Sequence, residues 1–291
     1  MAVKMLLSSP GLLNGIRKEH QELEHITKRH NIDIIISDNR YGAWHKDILS
    51  VIMTHQLRIN TGGNKFLALF QPILQGMNRR FIRKFNRCWI PDYEEQPGLS
   101  GKLSHPLPRD IKADYIGPLS RFQQYGETKK SSAKTIDIVA MISGPEPQRS
   151  IFEKIILEQS IHIDRKMLIL GGKPGEQETN SQTGIHEYKS HLESDELTHH
   201  LKNAELIISR PGYSTLMDLA YLQKKAVFVP TPGQTEQEYL AILHAEQGHC
   251  ISFSQDEFNL HESIVAAKKL KGFEHAIQNT LLDHQVNKLL A

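Results

Sequence analysis

The stretch that decides the fold of this chain reads Ile207-Ile208-Ser209-Arg210-Pro211-Gly212-Tyr213-Ser214-Thr215-Leu216-Met217-Asp218. It predicts a buried strand ending at Ser209, a turn at Gly212 and a helix starting at Ser214. The same succession recurs on both sides of this stretch. Strands are predicted over 136–142, 167–170, 205–209, 226–230 and 250–253, and helices over 148–158, 194–202, 214–222, 235–247 and around 263–270. Strands that alternate with helices predict an α/β fold with a parallel sheet covered on both faces.

The N-terminal half gives a similar but looser pattern. Helices are predicted over 10–30 and 65–87, and strands over 32–38, 50–54, 87–90 and 114–117. The segment 126–134 is small, polar and charged, which is typical of an interdomain linker or of an exposed hairpin. A chain of 291 residues exceeds what one hydrophobic core usually supports. We therefore predict two domains, over 1–122 and 135–291 with a C-terminal helix, joined by a linker over 123–134.

Composition excludes several classes of protein. A hydrophobic content of 39% without any run long enough for a membrane span indicates a soluble chain. A net charge of +2 gives no reason to expect nucleic acid as a partner. Cys88 and Cys250 are far apart and lack metal-ligand spacing, which argues for two buried thiols. Because no secretory signal precedes the first helix, we expect a cytoplasmic location.

Three glycine-containing loops follow strands of the C-terminal half, where ligands bind in open parallel sheets. They begin at Ser143-Gly144, at Gly171-Gly172-Lys173 and at Arg210-Pro211-Gly212. Glycine lets the backbone approach a ligand, and the helix that follows offers amides to an anion such as a diphosphate. One such loop alone would be an ordinary turn. Three at one sheet edge favour a binding site.

Three further residues could contact the hydroxyl groups of a ligand that carries such a diphosphate. Asp218 lies one turn into its helix, where a carboxylate can reach ribose hydroxyls or can be a solvated acid favoured by the helix dipole. Glu236 and Gln237 follow the fourth strand, and an acid beside an amide suits the hydroxyls of a sugar.

Residues 207–218, followed by 226–230 and by Glu236-Gln237, resemble the C-terminal domain of GT-B glycosyltransferases, and MurG-like enzymes in particular. The resemblance implies two Rossmann-like domains with parallel sheets. It places Gly212, Ser214 and Thr215 near phosphate, Asp218 at the ribose, and Glu236 with Gln237 at the hexose. The family usually has Glu at the ribose position, so Asp218 is a departure that shortens the reach.

The N-terminal half is similar to bacterial GT-B proteins through residues 36–42, 54–57 and 115–121. Such domains ordinarily begin with a strand and a glycine-rich loop, whereas this sequence starts at a later helix. We therefore expect an N-terminal domain that is incomplete at its start.

The reaction implied is transfer of a hexose from a UDP-sugar to an acceptor hydroxyl. His55, directly after a strand, is the first candidate for the general base, and Asp38 is the second. The chain contains no Asp-x-Asp motif, so we expect no metal and no cofactor; helix N-termini with Arg149, Lys173 or Arg210 would stabilise the diphosphate instead. The predicted donor-binding residues are Gly144, Arg149, Gly171, Gly172, Arg210, Gly212, Ser214, Thr215, Asp218, Glu236 and Gln237.

Other interpretations stay open at this stage. A nucleotide-sugar epimerase of the same fold would act on the donor alone, and a non-catalytic remnant would bind UDP-sugar without turnover. A dinucleotide dehydrogenase is disfavoured because no strand is followed by Gly-x-Gly-x-x-Gly. The helix over 65–87 ends in a basic cluster, which fits either a core-packed helix with a solvated end or peripheral contact with the inner face of a membrane.

Overall fold

The computed structural model describes residues 9–62, 65–124, 136–173, 180–274 and 280–290. They form two compact units: Met1–Pro118 with Gln278–Ala291, and Leu119–Ile277. The predicted border was a few residues later, and the last helix was assigned to the second domain, whereas here it groups with the first unit. Residues 119–124 group with the second unit because the Ser120 hydroxyl donates a hydrogen bond to Asp218 of that unit. The predicted linker lies, apart from Gln123 and Gln124, outside the described residues.

The first unit contains a four-stranded parallel sheet in the order β1-β2-β3-β4. Its strands are β1 (Ile34–Asp38), β2 (Leu49–Met53), β3 (Arg87–Ile90) and β4 (Ala113–Tyr115), and its helices are α1 (Ser9–Arg29), α2 (Lys65–Ile82) and the last helix of the chain, α8 (Thr280–Leu290). These agree with the predicted elements to within a few residues, except that α2 ends five residues before the predicted Arg87. The chain needs those residues to turn into β3.

Apolar side chains from the sheet and α2 form the core of the first unit. The buried set is Ile52, Leu57, Ile82, Phe85, Cys88, Ile90 and Ile111. Both cysteines are buried and form no disulfide bond, as expected, and burial raises the pKa of the Cys88 thiol to about 12. No helix in the described part of the chain is both long enough and apolar enough to cross a membrane.

The second unit is built on a seven-stranded sheet. Its strands are β5 (Ile138–Met141), β6 (Met167–Leu170), β7 (Asn180–Thr183), β8 (His186–Lys189), β9 (Leu206–Ser209), β10 (Ala226–Phe228) and β11 (Cys250–Ser252). Its helices are α3 (Gln148–Ser160), α4 (Ser194–Asn203), α5 (Tyr213–Tyr221), α6 (Thr235–Glu246) and α7 (Leu260–Ala267). The α/β prediction is confirmed.

One feature of this sheet was not predicted. β7 and β8 form a hairpin, and β7 pairs antiparallel at the edge, so the sheet is not entirely parallel. Both strands are short and polar, without the apolar run that identified the others. Hydrophobic periodicity cannot detect an edge strand of this kind.

The strand order, β11-β10-β9-β5-β6-β8-β7, places a topological switch point beside β5. From β5 the chain moves outward to β6 and β8, then returns to the other side of β5 at β9 and continues outward to β11. Right-handed crossovers therefore put α3 and α5 on opposite faces of the sheet. The loops after β5 and β9 therefore lead away from each other to opposite faces of the sheet. Open α/β sheets form their binding crevice at such a switch point.

Candidate functional site

Loops after several strands of the second unit touch at its switch point. A Cβ built on Gly144 would lie 3.4 Å from Thr231 Oγ1, so the loops after β5 and β10 approach each other closely here. A Cβ built on Gly172 would lie 2.2 Å from the carbonyl oxygen of Ile142, so the loops after β6 and β5 also lie against each other. Gly144 and Gly172 have φ values of +107° and +65°. These two glycines are needed both for backbone conformation and for close approach.

The N-terminus of α5 faces the same edge of the sheet. Gly212 is its N-cap, with φ −72° and ψ 147°, and no side chain caps the first turn. The helix starts at Tyr213, one residue before the predicted Ser214, so Ser214 and Thr215 both lie inside its first turn. Ser214 is exposed and Thr215 half-buried. The first-turn amides therefore point to where an anion would bind, without a capping side chain in the way.

Arg210 lies beneath these loops and not on their surface. Its side chain is 2% exposed. Nη1 donates to the carbonyl oxygens of Val229 and Pro230 at 2.7 and 3.0 Å. Nη2 donates to the carbonyl oxygen of Gln148 at 3.1 Å and to Gln255 Oε1. The guanidinium thus forms hydrogen bonds to three loops. Arg210 was predicted to contact a diphosphate directly, but in the structure it positions these loops instead.

The other two predicted phosphate-binding cations share one buried carboxylate. Arg149 Nη1 and Lys173 Nζ lie 3.5 and 3.3 Å from Glu153 Oε2, and Tyr188 donates to Glu153 Oε1 at 2.6 Å. Arg149 also donates to the carbonyl oxygen of Gly171 at 3.0 Å. Sequence reasoning missed Glu153, although its position four residues after Arg149 on a helix is an ion-pair signal. Both cations would have to exchange Glu153 for a phosphate. Pro174 and Gly175 lie outside the described residues.

Asp218, the predicted ribose ligand, is engaged by its own chain. It is 6% exposed. Its Oδ1 accepts a hydrogen bond from Ser120 Oγ at 2.7 Å, and its Oδ2 lies 3.2 Å from Arg121 Nε. Burial raises the pKa of this carboxyl, which Ser120 and Arg121 offset in part. The solvated-acid alternative is therefore wrong, and ribose contact would have to displace Ser120 or Arg121.

We expect Asp218→Ala to lower the free energy of unfolding by about 1–3 kcal/mol, because it leaves the Ser120 hydroxyl buried without its acceptor. Urea unfolding measures this change. Ser120→Ala is the matched variant, since it breaks the same bond and keeps the carboxylate. If Asp218 also binds ribose, UDP affinity falls in Asp218→Ala and not in Ser120→Ala; equal UDP affinities in the two variants would leave Asp218 a purely structural residue.

The predicted sugar-binding pair lies at the start of α6. Gln237 Oε1 accepts from the amide of Thr231 at 2.8 Å, and Glu238 Oε1 accepts from the amide of Gly233 at 3.1 Å. Glu236 is half-buried. Glu238 was missed, because the N-cap of α6 is Gln234 and the Thr-x-x-Glu run over 235–238 therefore does not form a capping box that would point to the bond with Gly233. Gln237 and Glu238 hold the loop after β10, so their side chains set its shape.

The two predicted general bases lie in the first unit. Asp38 is the exposed last residue of β1, and half-buried His55 follows β2 by two residues. The parallel register pairs Asp38 with Met53, so both residues lie at the carboxyl edge of the sheet. Thr54 Oγ1 donates to Asn39 Oδ1 at 3.0 Å and links the two loops. Their catalytic role stays a prediction.

A buried polar cluster at the same edge of the first unit was not predicted. Asp92 is fully buried, and its Oδ1 accepts from the amides of Tyr93 and Leu99, both at 2.7 Å. Its Oδ2 accepts from the amide and the hydroxyl of Ser100 at 2.9 and 2.5 Å, and lies 3.5 Å from His105 Nε2. The sequence carries no signal for this cluster, because Asp92 and its partners lie in an irregular segment where no helix or strand periodicity fixes which side chains meet.

The basic end of α2 is largely paired within the first unit. Arg79 and Arg83 approach Asp110 at 3.7 and 3.9 Å, and Arg87 lies 3.3 Å from Asp114. Lys84 lies 4.9 Å from the ring centroid of Trp44. Arg80 is exposed. Most of the cluster is therefore held by local partners.

Metal binding finds no support in the arrangement of ligand residues. Over 9–62, 65–124, 136–173, 180–274 and 280–290, no three His, Cys, Asp or Glu side chains group closely enough to hold an ion.

Comparison with known sequences places the second unit in a family. Residues 139–285 match the glycosyltransferase family 28 C-terminal domain. A segment of 96 residues is 35% identical to the "UDP-N-acetylglucosamine--N-acetylmuramyl-(pentapeptide) pyrophosphoryl-undecaprenol N-acetylglucosamine transferase" of Campylobacter jejuni subsp. doylei, covering 32% of this chain and 27% of that protein. The match thus spans about a quarter of the curated relative.

Solved structures resemble the chain over nearly its full length. MurG of Acinetobacter baumannii is 15% identical, with a TM-score of 0.56 over 94% of this chain and 78% of that one. The UDP-GlcNAc 2-epimerase of Neisseria meningitidis, bound to UDP-GlcNAc, is 12% identical, with a TM-score of 0.62 over 96% of this chain and 82% of that one. Identities this low show the GT-B fold alone.

Proposed function

We propose, on the premise that this chain belongs to the glycosyltransferase family 28 C-terminal domain family, that it transfers a hexose from a UDP-sugar to an acceptor hydroxyl. The observation that carries the proposal is the set of glycine loops and the uncapped N-terminus of α5 at one switch point. Backbone amides and a helix dipole directed to one place form a site for a diphosphate. The relatives named as UDP-N-acetylglucosamine transferases support UDP as the nucleotide.

Within this proposal, the loops act directly and the buried charges support them. Gly144, Gly171, Gly172 and Gly212 allow the backbone to approach the diphosphate, while Ser214 offers an exposed hydroxyl. Ser209 Oγ and Thr231 Oγ1 are buried at this edge without a hydrogen-bond partner in the described chain. Unpaired buried hydroxyls are uncommon and suit a site that a polar ligand completes.

We further propose that the chemistry uses neither metal nor cofactor. The leaving diphosphate would be stabilised by α5 and by Arg149 and Lys173 after they exchange Glu153 for phosphate oxygens. His55 would act as the general base toward the acceptor hydroxyl, with Asp38 as the alternative. Contact with the acceptor thus falls to the first unit.

A cytoplasmic location and peripheral membrane contact through α2 complete the proposal. Leu69 and Ile73 on this helix are 72% and 61% exposed, and Arg80 lies on the same face. An apolar strip beside a cation is the pattern of a helix that lies on an anionic membrane.

The proposal is tested by titrating UDP into the full chain in the presence of EDTA. We expect binding, and we expect Gly144→Ala to weaken it about tenfold, since a Cβ strains the backbone at this φ and shifts the loop. Gly184→Ala is the matched control: its φ of +61° is also positive, but a Cβ there meets no atom within 4 Å and it lies in the β7–β8 turn. Equal UDP affinities in both variants would remove the donor site from this edge.

Incubation with UDP-N-acetylglucosamine alone separates transfer from epimerisation. We expect NMR to show no sugar epimer, because a transferase needs an acceptor. Epimer formed from the donor alone would contradict the proposal in favour of an epimerase.

A further inference from the structure

A cavity of about 320 Å³ lies in the first unit between α2 and the loop after β2. Its lining residues are Arg58, Gln71, Pro72, Gln75 and Arg79. Two of these five are cations and none is acidic. The cavity therefore carries positive charge on a framework of neutral amides.

The wall of this cavity is fixed by hydrogen bonds. Gln75 Nε2 donates to the carbonyl oxygen of Leu57 at 2.6 Å, and Gln75 Oε1 accepts from the amide of Ile59 at 3.0 Å. Arg58 lies between these residues; its amide donates to the carbonyl oxygen of Leu103 at 2.9 Å and its Nη2 donates to that of Pro106. The Arg58 guanidinium is thus held in place before any ligand arrives.

Each arginine keeps one unused buried donor. Arg58 Nη1 and Arg79 Nε are buried and have no hydrogen-bond partner among the residues that the structure describes. Buried N–H groups are nearly always paired, so two together indicate a missing acceptor. Asp110 does not fill this role, because it lies 3.7 Å from Arg79 Nη1 and 3.9 Å from Arg83 Nη1 and serves both. Burial and the charge of Arg79 lower the pKa of Arg58.

We propose that this cavity binds a phosphate group. A phosphate has several oxygen acceptors and negative charge, and guanidinium groups are its preferred partners in proteins. The site is separate in sequence and fold from the donor loops, since all of its lining residues belong to the first unit. It gives the acceptor-side unit an anion site that the UDP-sugar proposal does not require.

The phosphate could be free in solution or part of a lipid headgroup. The same helix, α2, exposes Leu69 and Ile73 on a face that does not line the cavity, and these side chains could contact acyl chains. We therefore test inorganic pyrophosphate by calorimetric titration in the presence of saturating UDP, which occupies the proposed donor site, and vesicles of phosphatidylcholine with and without phosphatidic acid by co-sedimentation. Binding of pyrophosphate alone assigns a soluble ligand, and binding of the phosphatidic acid vesicles as well assigns a lipid phosphate.

Arg79→Gln and Arg58→Gln are each expected to weaken pyrophosphate binding about tenfold, because each removes a charge-assisted bond. Arg29→Gln removes an exposed charge from α1 of the same unit and should leave binding unchanged. Arg58→Lys retains the charge and serves if Arg58→Gln fails to fold, as thermal unfolding would show; it should also weaken binding. UDP affinity should stay unchanged in all of them, which separates this site from the donor site. Absence of pyrophosphate binding to the wild type, or an equal loss in Arg29→Gln, would overturn the proposal.

Discussion

Replacing Arg210 by methionine is expected to lower the free energy of unfolding of the second unit by about 3–5 kcal/mol. Methionine fills much of the same volume but leaves the carbonyl oxygens of Val229, Pro230 and Gln148 without their donor. The guanidinium also lies 4.3 Å from the ring centroid of Phe152, a contact that is lost as well. Urea unfolding followed by circular dichroism measures the change.

The same replacement should nearly abolish UDP binding, because Arg210 joins the loops that would hold the diphosphate. Burial also lowers the pKa of Arg210 to about 10. Arg165→Met is the matched control: Arg165 pairs with Glu205 at the surface, so its loss should cost less than about 1 kcal/mol and leave UDP affinity intact. Similar losses in both variants would show that Arg210 has no special role.

The second large effect is expected at Asp92. Asp92→Asn should lower the free energy of unfolding of the first unit by about 3–4 kcal/mol, because its amide group presents hydrogens to the amide donors of Leu99 or Ser100. Asp47→Asn is the control, since Asp47 is exposed and 3.8 Å from Lys46 in a surface ion pair. Urea unfolding of the two variants at neutral pH compares them directly. Equal, small changes would show that the buried cluster contributes little.

The contribution of Asp92 also depends on pH. Burial alone would raise its pKa, but the bonds from His105, Ser100 and Leu99 outweigh burial and hold the pKa below its usual range. A carboxyl with a lowered folded-state pKa stabilises the fold above its unfolded-state pKa, about 3.9, and this contribution is lost as the pH falls through the folded-state pKa. The difference between wild type and Asp92→Asn should therefore shrink in acid. A difference that is constant with pH would contradict this assignment.

Sequence patterns predicted those parts of the fold that depend on apolar periodicity. Buried parallel strands such as β6 (Met167–Leu170) contain only apolar residues and were placed to the residue. β7 and β8 were missed because edge strands need no apolar face. The glycine loops after the strands were found because the backbone conformation at Gly144 and Gly172 requires glycine. The presence of glycine in the sequence is therefore enough to indicate such a loop.

The charged residues of the site were harder to interpret, because their roles depend on partners distant in sequence. Arg210 and Asp218 were identified as functional candidates, yet a sequence does not show that Gln255 or Ser120 lies beside them. Burial changes the role of such groups: a cation that would contact a ligand at the surface becomes, in the interior, a support for loops.

The pairing of Arg149 and Lys173 with Glu153 has a consequence for turnover. Because Arg149 also pairs with Glu146, two carboxylates balance the two cations. A diphosphate bound here, as proposed, would therefore gain only the difference between two sets of ion pairs. If the site binds a nucleotide as proposed, Glu153 is available to recover both cations when the nucleotide leaves. Such an internal competitor would lower the affinity for the spent nucleotide and shorten its residence time, which would favour the next cycle.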